Sequence, residues 1–347
     1  MLKILLSVSL ASSLVVAQLY KLSDTYIDRI NAETDISWTA GRNFPANLTE
    51  AYLRTHLIAE EKHFARFERP VPSERKTFDA TWFSGALPDR FDARERWPNC
   101  ASIGLVPDIG ACLQPHVYAA VAAFRDRRCI QTAGQHQESL STEYVAACCK
   151  ICRYDVVAVC SHGSVYRTWQ FLHKRGAVTG GEYGVQSGCQ PASIPPCSHY
   201  DSSPALVKCE NVPRPHLKCH TRCTNEKYGR DFFQDKHRTT LAYWVDDKED
   251  AIKRELMTFG PTTATFELYD DFYHYKTGVY HHSSEAKSEM YLHSGKLIGW
   301  GTENGTPYWL VLNTWGPNWG DRGSFKIVRG KFECDFEYLV AAGKPRY

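Results

Sequence analysis

Thirteen cysteines in a chain of 347 residues, behind an N-terminal export signal, limit what this sequence can fold into. The chain opens MLKILLSVSLASSLVVAQ. Lys3 supplies the positive start, Leu5 to Val16 a short apolar run, and Val15 and Ala17 the compact residues of a cleavage site after Ala17. The run is too short for a membrane span, so residues 1–17 read as a signal peptide, and no later stretch reaches membrane-spanning length. In an oxidising compartment the cysteines are expected to pair. Cys149-Lys150-Ile151-Cys152 has zinc-ligand spacing, but that motif is weak alone, and the export signal favours disulfides. An odd count leaves at least one thiol over, either reactive or merely buried.

A net charge of +2 with 23% charged residues speaks against a nucleic-acid or acidic-surface partner. Aromatic and apolar content suffices for a sizeable core, arranged as one large domain or two fused lobes plus processed segments. From Gln18 to about Ala86 there is no cysteine. SDTYIDRINAE and NLTEAYLRTHLIAEEKHF read as helices, with Ile27 and Ile30 in the first and Leu53, Leu57 and Ile58 in the second near helical spacing. FERPVPSERKTF reads as a linker. A helical leader joined to a cysteine-rich body is the layout of a zymogen.

Pro115 to Ile130 reads as a helix, with proline tolerated at its first position and Val117, Ala120, Val121 and Phe124 forming an apolar stripe. TEYVAACCKIC and VYRTWQFLHKRG predict two further helices, and Gly188 to Cys223 a looped, disulfide-held middle. KEDAIKRELMTFGP predicts a helix stopped by Gly260-Pro261. TATFELY, KLIGWG, YWLVLNTWG and GSFKIVRG alternate like strands. A helical first half and a β second half predict an α+β fold of two lobes around a cleft.

LPDRFDARERWPNC, SIPPCSHY, GWGTENGTPYWLVLNTWGPNWGDRGSFKIVRG and the leader's WTAGRNF resemble the cathepsin B-like members of the papain family of cysteine peptidases, from about Leu19 to the C-terminus. The resemblance implies a papain-like fold with a helical left lobe and a β-barrel-like right lobe. It implies a propeptide over 18–86 and a peptidase-fold domain over 87–347, helical with the occluding-loop region over about 87–215 and mainly β over about 216–347.

In that family a cysteine at the start of the first helix is the nucleophile, its thiol pKa lowered from about 8.5 by the helix N-terminus and a histidine from the other lobe. An upstream glutamine and the nucleophile's own N–H hold the oxyanion. The signature Asp-Gln-Gly-Ser-Cys-Gly-Ser-Cys-Trp falls without a gap on Asp108-Ile109-Gly110-Ala111-Cys112-Leu113-Gln114-Pro115-His116. The nucleophile position is Pro115 and the oxyanion position Ile109. Proline also removes the backbone donor. In an analogous hydrolase, loss of the nucleophile alone costs on the order of 10⁶ in turnover.

His293 and Asn313 stand at the family's catalytic histidine and orienting asparagine, and Trp315 at the tryptophan that shields them. With no nucleophile, a structural role for the pair outweighs a catalytic one. Tyr291 and Leu292 replace a Gly-Gly pair and are expected to crowd the cleft. Ser161-His162-Gly163 replaces the Gly-Gly that holds substrate backbone. His199-Tyr200 replaces the occluding loop's two histidines, with His199 expected to pair with Asp108. Leu339 takes the position of the acidic residue of the S2 pocket. The resemblance also implies disulfides Cys100–Cys129, Cys112–Cys160, Cys148–Cys219, Cys149–Cys152, Cys189–Cys223 and Cys197–Cys209, with Cys334 left free and non-catalytic. Each bridge contributes about 2–4 kcal/mol.

Asn47 and Asn304 open glycosylation sequons. His274 and His281-His282 are read as solvated loop rather than metal ligands, on the ground that no cysteine or carboxylate is placed to complete a set. No metal or cofactor is expected. The expectation is a monomeric, extracellular or lysosomal homologue without proteolytic activity, its cleft open to a polypeptide or protease-inhibitor ligand. The alternatives are a hydrolase with an unorthodox nucleophile served by His293 and Asn313, and a gene copy without a selected role.

Overall fold

The computed structural model describes residues 21–45, 48–57, 70, 74–76, 85–155, 159–200, 205–213 and 215–346. The signal peptide, Asn47, Ile58 and most of the stretch from 58 to 84 lie outside the described residues.

Seven α-helices are described: α1 (Asp24–Ala32), α2 (Glu50–His56), α3 (Ala93–Arg96), α4 (Pro115–Gln131), α5 (Thr142–Cys148), α6 (Val165–Lys174) and α7 (Glu249–Phe259). The strands are β1 (Trp38–Ala40), β2 (Arg75–Lys76), β3 (Phe91–Asp92), β4 (Cys197–Ser198), β5 (Val207–Lys208), β6 (Thr239–Val245), β7 (Thr262–Tyr269), β8 (Tyr275–Tyr280), β9 (Ser288–Glu303), β10 (Thr306–Leu312), β11 (Ser324–Val328) and β12 (Val340–Pro345). Among the described residues, ten strands form one sheet in the order β1-β8-β11-β10-β9-β7-β12-β6-β2, with β3 also on β9. β4 and β5 pair separately. The fold is papain-like, a helical lobe packed against this sheet.

Local chemistry accounts for the elements. Ser23, Thr49, Ser141 and Ser164 cap α1, α2, α5 and α6 by accepting a backbone N–H in the first turn. Helix α7 ends at Gly260, whose φ of 90° is open to glycine at little cost. Asn304 and Gly305, both at positive φ, close the β9–β10 hairpin. Helix α4 is buried on nearly every side rather than along one stripe.

That burial takes in charge. Lys296 of β9 donates to Asp126 of α4 at 2.7 Å, both side chains fully buried, and the Ser102 hydroxyl donates to the same carboxylate at 2.6 Å. Arg127 pairs with Glu255 of α7 at 2.8 Å and donates to the carbonyls of Pro261, Gly260 and Gly343. Six disulfides close the body: Cys100–Cys129, Cys112–Cys160, Cys148–Cys219, Cys149–Cys152, Cys189–Cys223 and Cys197–Cys209. Cys334 is free and buried.

The leader lies along the sheet. Strand β1 pairs antiparallel with β8, the Tyr26 hydroxyl donates to Asp270 at 2.6 Å, and Asn43 donates to the carbonyls of Tyr273 and Tyr275. The segment expected to be only a linker contributes β2, which pairs in parallel with β6, while Arg75 donates to the Val245 and Tyr338 carbonyls. A free sheet edge offers backbone partners that the composition of a charged, proline-containing stretch does not reveal.

The Asp126–Lys296 pair gives a stability test. Asp126→Asn leaves a buried ammonium without its counter-charge and is expected to cost about 3–5 kcal/mol. The double variant Asp126→Leu/Lys296→Met is expected to regain much of that loss. Thermal midpoints of the three proteins check both expectations.

Candidate functional site

The site grows from the β9–β10 hairpin. Leu312 pairs with Lys296, so Asn313, one residue past β10, runs back alongside the His293 end of β9. The His293 Nε2–H donates to Asn313 Oδ1 at 2.7 Å, and the Thr314 N–H donates to the same oxygen at 2.7 Å. That bond fixes Nδ1 as the imidazole's acceptor nitrogen, and it is buried with no hydrogen-bond partner among the described residues. Trp315 covers the ring at 4.5 Å between centroids and Phe266 meets it edge-on at 5.6 Å.

Pro115 is the first residue of α4, with Gln114 as its cap and no side-chain bond to the helix start. The Val117 and Tyr118 N–H groups bond back to the Gln114 carbonyl. The Gln114 amide donates to the Val159 carbonyl and is thereby held away from other work. Ile109 is buried in the core, its N–H bonded to the Thr314 carbonyl at 3.0 Å. It packs where a polar side chain would need a partner.

His116, the second residue of α4, is fully buried, and neither ring nitrogen has a partner among the described residues. It lies beside His162, whose Nδ1 bonds the Leu292 carbonyl at 3.1 Å and whose Nε2 has no partner among the described residues. Gly163 must be glycine here. A Cβ would fall 1.8 Å from the Cys152 carbonyl oxygen and 2.7 Å from His116 Nε2. Tyr291 is buried with its ring 6.5 Å from that of His162, and Leu292 packs against the helical-lobe core. Leu339 is also buried in that core.

The occluding-loop residues are covered by the leader. Tyr200 is buried, stacked on Phe44 at 5.3 Å, and donates its hydroxyl to the Trp315 carbonyl. The expected His199–Asp108 pair is not formed. His199 uses Nε2 toward the Gly110 carbonyl at 3.2 Å and Nδ1 toward the Tyr52 hydroxyl at 2.8 Å. Asp108 instead accepts the Gly110 N–H at 2.9 Å. The leader's tyrosine supplies a neutral partner, which suits a histidine whose pKa burial lowers to about 4.

The reading of the other histidines also changes. His274 is buried beneath the leader, bonded through Nε2 to the Lys21 carbonyl at 2.7 Å. His282 lies against both a carboxylate and a thiol, those of Glu333 and Cys334. These are the ligand types the sequence reading found missing. They stand some fifty positions downstream, and no short motif links them.

Residues 87–343 match the family model described as papain family cysteine protease. The chain belongs to the papain family of cysteine proteases. Cathepsin B-like cysteine proteinase 4 of Caenorhabditis elegans is 35% identical over 98% of this chain and 97% of its own length. Cathepsin B-like cysteine proteinase 5 of the same organism is 38% identical over 92% and 89%. Procathepsin B S9 from Trypanosoma congolense superposes with a TM-score of 0.75 at 31% identity, covering 94% of this chain and 99% of that structure. The last is a proform, which fits a papain-family fold with its N-terminal leader in place.

The buried histidines of this site make a pH prediction. Burial holds His116 well below the usual value, His162 at about 4 and His293 at about 3. In the unfolded chain each takes up a proton near pH 6.5. The unfolded state thus binds more protons below that pH, and the stability these groups leave intact at pH 7.5 is lost as pH falls through 6.5 toward 4. His116→Phe isolates one histidine. The variant is expected to gain about 2 kcal/mol on wild type in going from pH 7.5 to pH 5. Denaturation at both pH values measures it; an unchanged difference between the proteins contradicts it.

Proposed function

We propose that this chain is an exported cathepsin B-like homologue without peptidase activity, which works by binding a polypeptide or a protease inhibitor. The carrying observation is Pro115 at the first position of α4, where the family's nucleophile stands, beside an intact His293–Asn313 pair. A histidine and an orienting asparagine can take up a proton, but they need a thiol to supply the attacking atom. Proline has no nucleophilic atom and no N–H for an oxyanion. Ile109 adds no donor.

The surroundings support the same reading. Burial holds the His293 imidazole at about 3, with its hydrogen bond to Asn313 offsetting only part of that depression. A neutral imidazole beside no thiol cannot form the thiolate–imidazolium pair on which the family's chemistry depends. The free thiol of Cys334 lies in the turn at Glu333–Leu339, next to His282 rather than in the His293–Asn313 cluster. In this reading residues 1–17 direct export, 18–86 form the propeptide and 87–347 the peptidase-fold domain, with Asn47 and Asn304 as glycan acceptors.

The leader then has no self-processing route. Full-length protein secreted from a host lacking papain-type proteases is expected to keep the mass of the chain from residue 18 onward, with any glycans. After the leader is removed by an added protease, the body is expected to hydrolyse no dibasic dipeptide reporter above a buffer control. Hydrolysis that co-purifies with the protein and disappears on His293→Ala would overturn the proposal.

A further inference from the structure

We propose that His282, Glu333 and Cys334 form a zinc site on the face of the sheet that receives the leader. Their ligand atoms, one nitrogen, one oxygen and one sulfur, all lie within 4.8 Å of one another. His282 Nδ1 is 2.7 Å from Glu333 Oε1, and Cys334 Sγ is 3.2 Å from the same oxygen. The cluster is already folded tightly enough that small side-chain rotations open a position for an ion at ordinary zinc–ligand distances. A mixed imidazole, carboxylate and thiolate set suits Zn²⁺ better than a hard cation such as Ca²⁺ or Mg²⁺, which takes oxygen ligands. Water completes the tetrahedron.

The three side chains are held from outside the cluster. His282 stacks on Tyr269 with centroids 4.3 Å apart and planes 14° apart, which sets the ring direction. Its backbone N–H donates to Glu333 Oε1 at 3.0 Å, which positions the carboxylate. Phe332, Cys334 and Asp335 all have positive φ, near 55°, 53° and 59°. Non-glycine residues adopt this region at a cost, and here it turns two consecutive side chains, Glu333 and Cys334, toward each other.

The charge around the thiol fits a cation. Glu333, Asp271 and Glu267 place negative charge around Cys334. The same acids favour a divalent ion at that point. Binding removes the thiol proton to solvent, so Zn²⁺, thiolate and carboxylate sum to zero charge. Because the imidazole must be neutral and the thiol deprotonated to bind, affinity is expected to fall as pH drops.

The position gives the ion a task. The loop after β8 holds the leader through four contacts. Trp38 donates to the His281 carbonyl, His281 meets the Asp35 carbonyl, Ser284 donates to Glu33, and Arg29 pairs with Glu285. A zinc ion at His282 ties that loop to the turn ending in Leu339.

The test uses the full secreted chain, stripped with a chelator and then dialysed against zinc or cobalt. Wild type is expected to retain one equivalent of zinc and to show thiolate-to-cobalt charge-transfer absorption when loaded with Co²⁺. Its thermal midpoint is expected to rise with zinc. Cys334→Ser should lose the absorption and the retained zinc. His282→Ala and Glu333→Gln should each weaken binding by more than the roughly 10–100-fold seen for removing an outer-shell partner. Near-ultraviolet circular dichroism checks that the variants fold. Absence of the cobalt band in wild type overturns the proposal whatever the variants do, as does zinc retention unchanged by Cys334→Ser.

Discussion

Helix α4 carries two consecutive charged side chains, Asp126 and Arg127, into the dry boundary between the helical lobe and the sheet. Partners from both lobes satisfy them. Asp126 takes Lys296 from β9, and Arg127 takes Glu255 from α7 together with the carbonyls of Gly260 and Pro261 before β7 and of Gly343 within β12. A hydrophobic contact at the same place would tolerate sliding; an ion pair in low dielectric does not, because a small displacement leaves an unpaired charge. The register of α4 against β9 therefore sets where the start of α4 lies relative to His293, whatever residue occupies that start.

This separates architecture from chemistry. The papain fold needs α4, its partners and the disulfides that surround them, and none of these requires a thiol at 115. Proline is among the residues best suited to a first helical position, since the N–H it lacks would have had no partner within the helix. Isoleucine at 109 and histidine at 116 fill volume in a buried region at which a donor or a flat indole would otherwise sit. Pro115 and Ile109 are changes that the chain accepts while keeping its packing.

Much of this was legible in the sequence, because the signals were local or ordered. Proline at the helix start, the apolar positions of α4, the Gly260-Pro261 stop and the strand alternation of β7, β10 and β11 are short-range patterns with direct physical causes. The order of family motifs along the chain pointed to His293 and Asn313 as a pair, and the structure joins the two side chains through one hydrogen bond. Pairings that depend on three-dimensional proximity were not legible. The Tyr52–His199 contact, β2 on the edge of the sheet and the meeting of His282 with Glu333 and Cys334 each join positions that are distant in the chain and carry no spacing rule. The expected His199–Asp108 bond failed for the same reason, since a sequence does not show that a leader tyrosine competes for the ring.

The contacts that the leader makes also change how the cleft is to be read. In a self-processing enzyme the covering segment is temporary, and the residues beneath it are shaped for substrate. Here Phe44 stacks on Tyr200, Tyr52 caps His199 and β1 extends the sheet through β8, so the leader supplies partners for groups that would otherwise be buried unsatisfied or exposed and apolar. Removing it exposes those aromatic faces and returns two neutral imidazoles to water, where acid can charge them. With the leader in place, its contacts are those of a packed core element rather than of a loosely held strap.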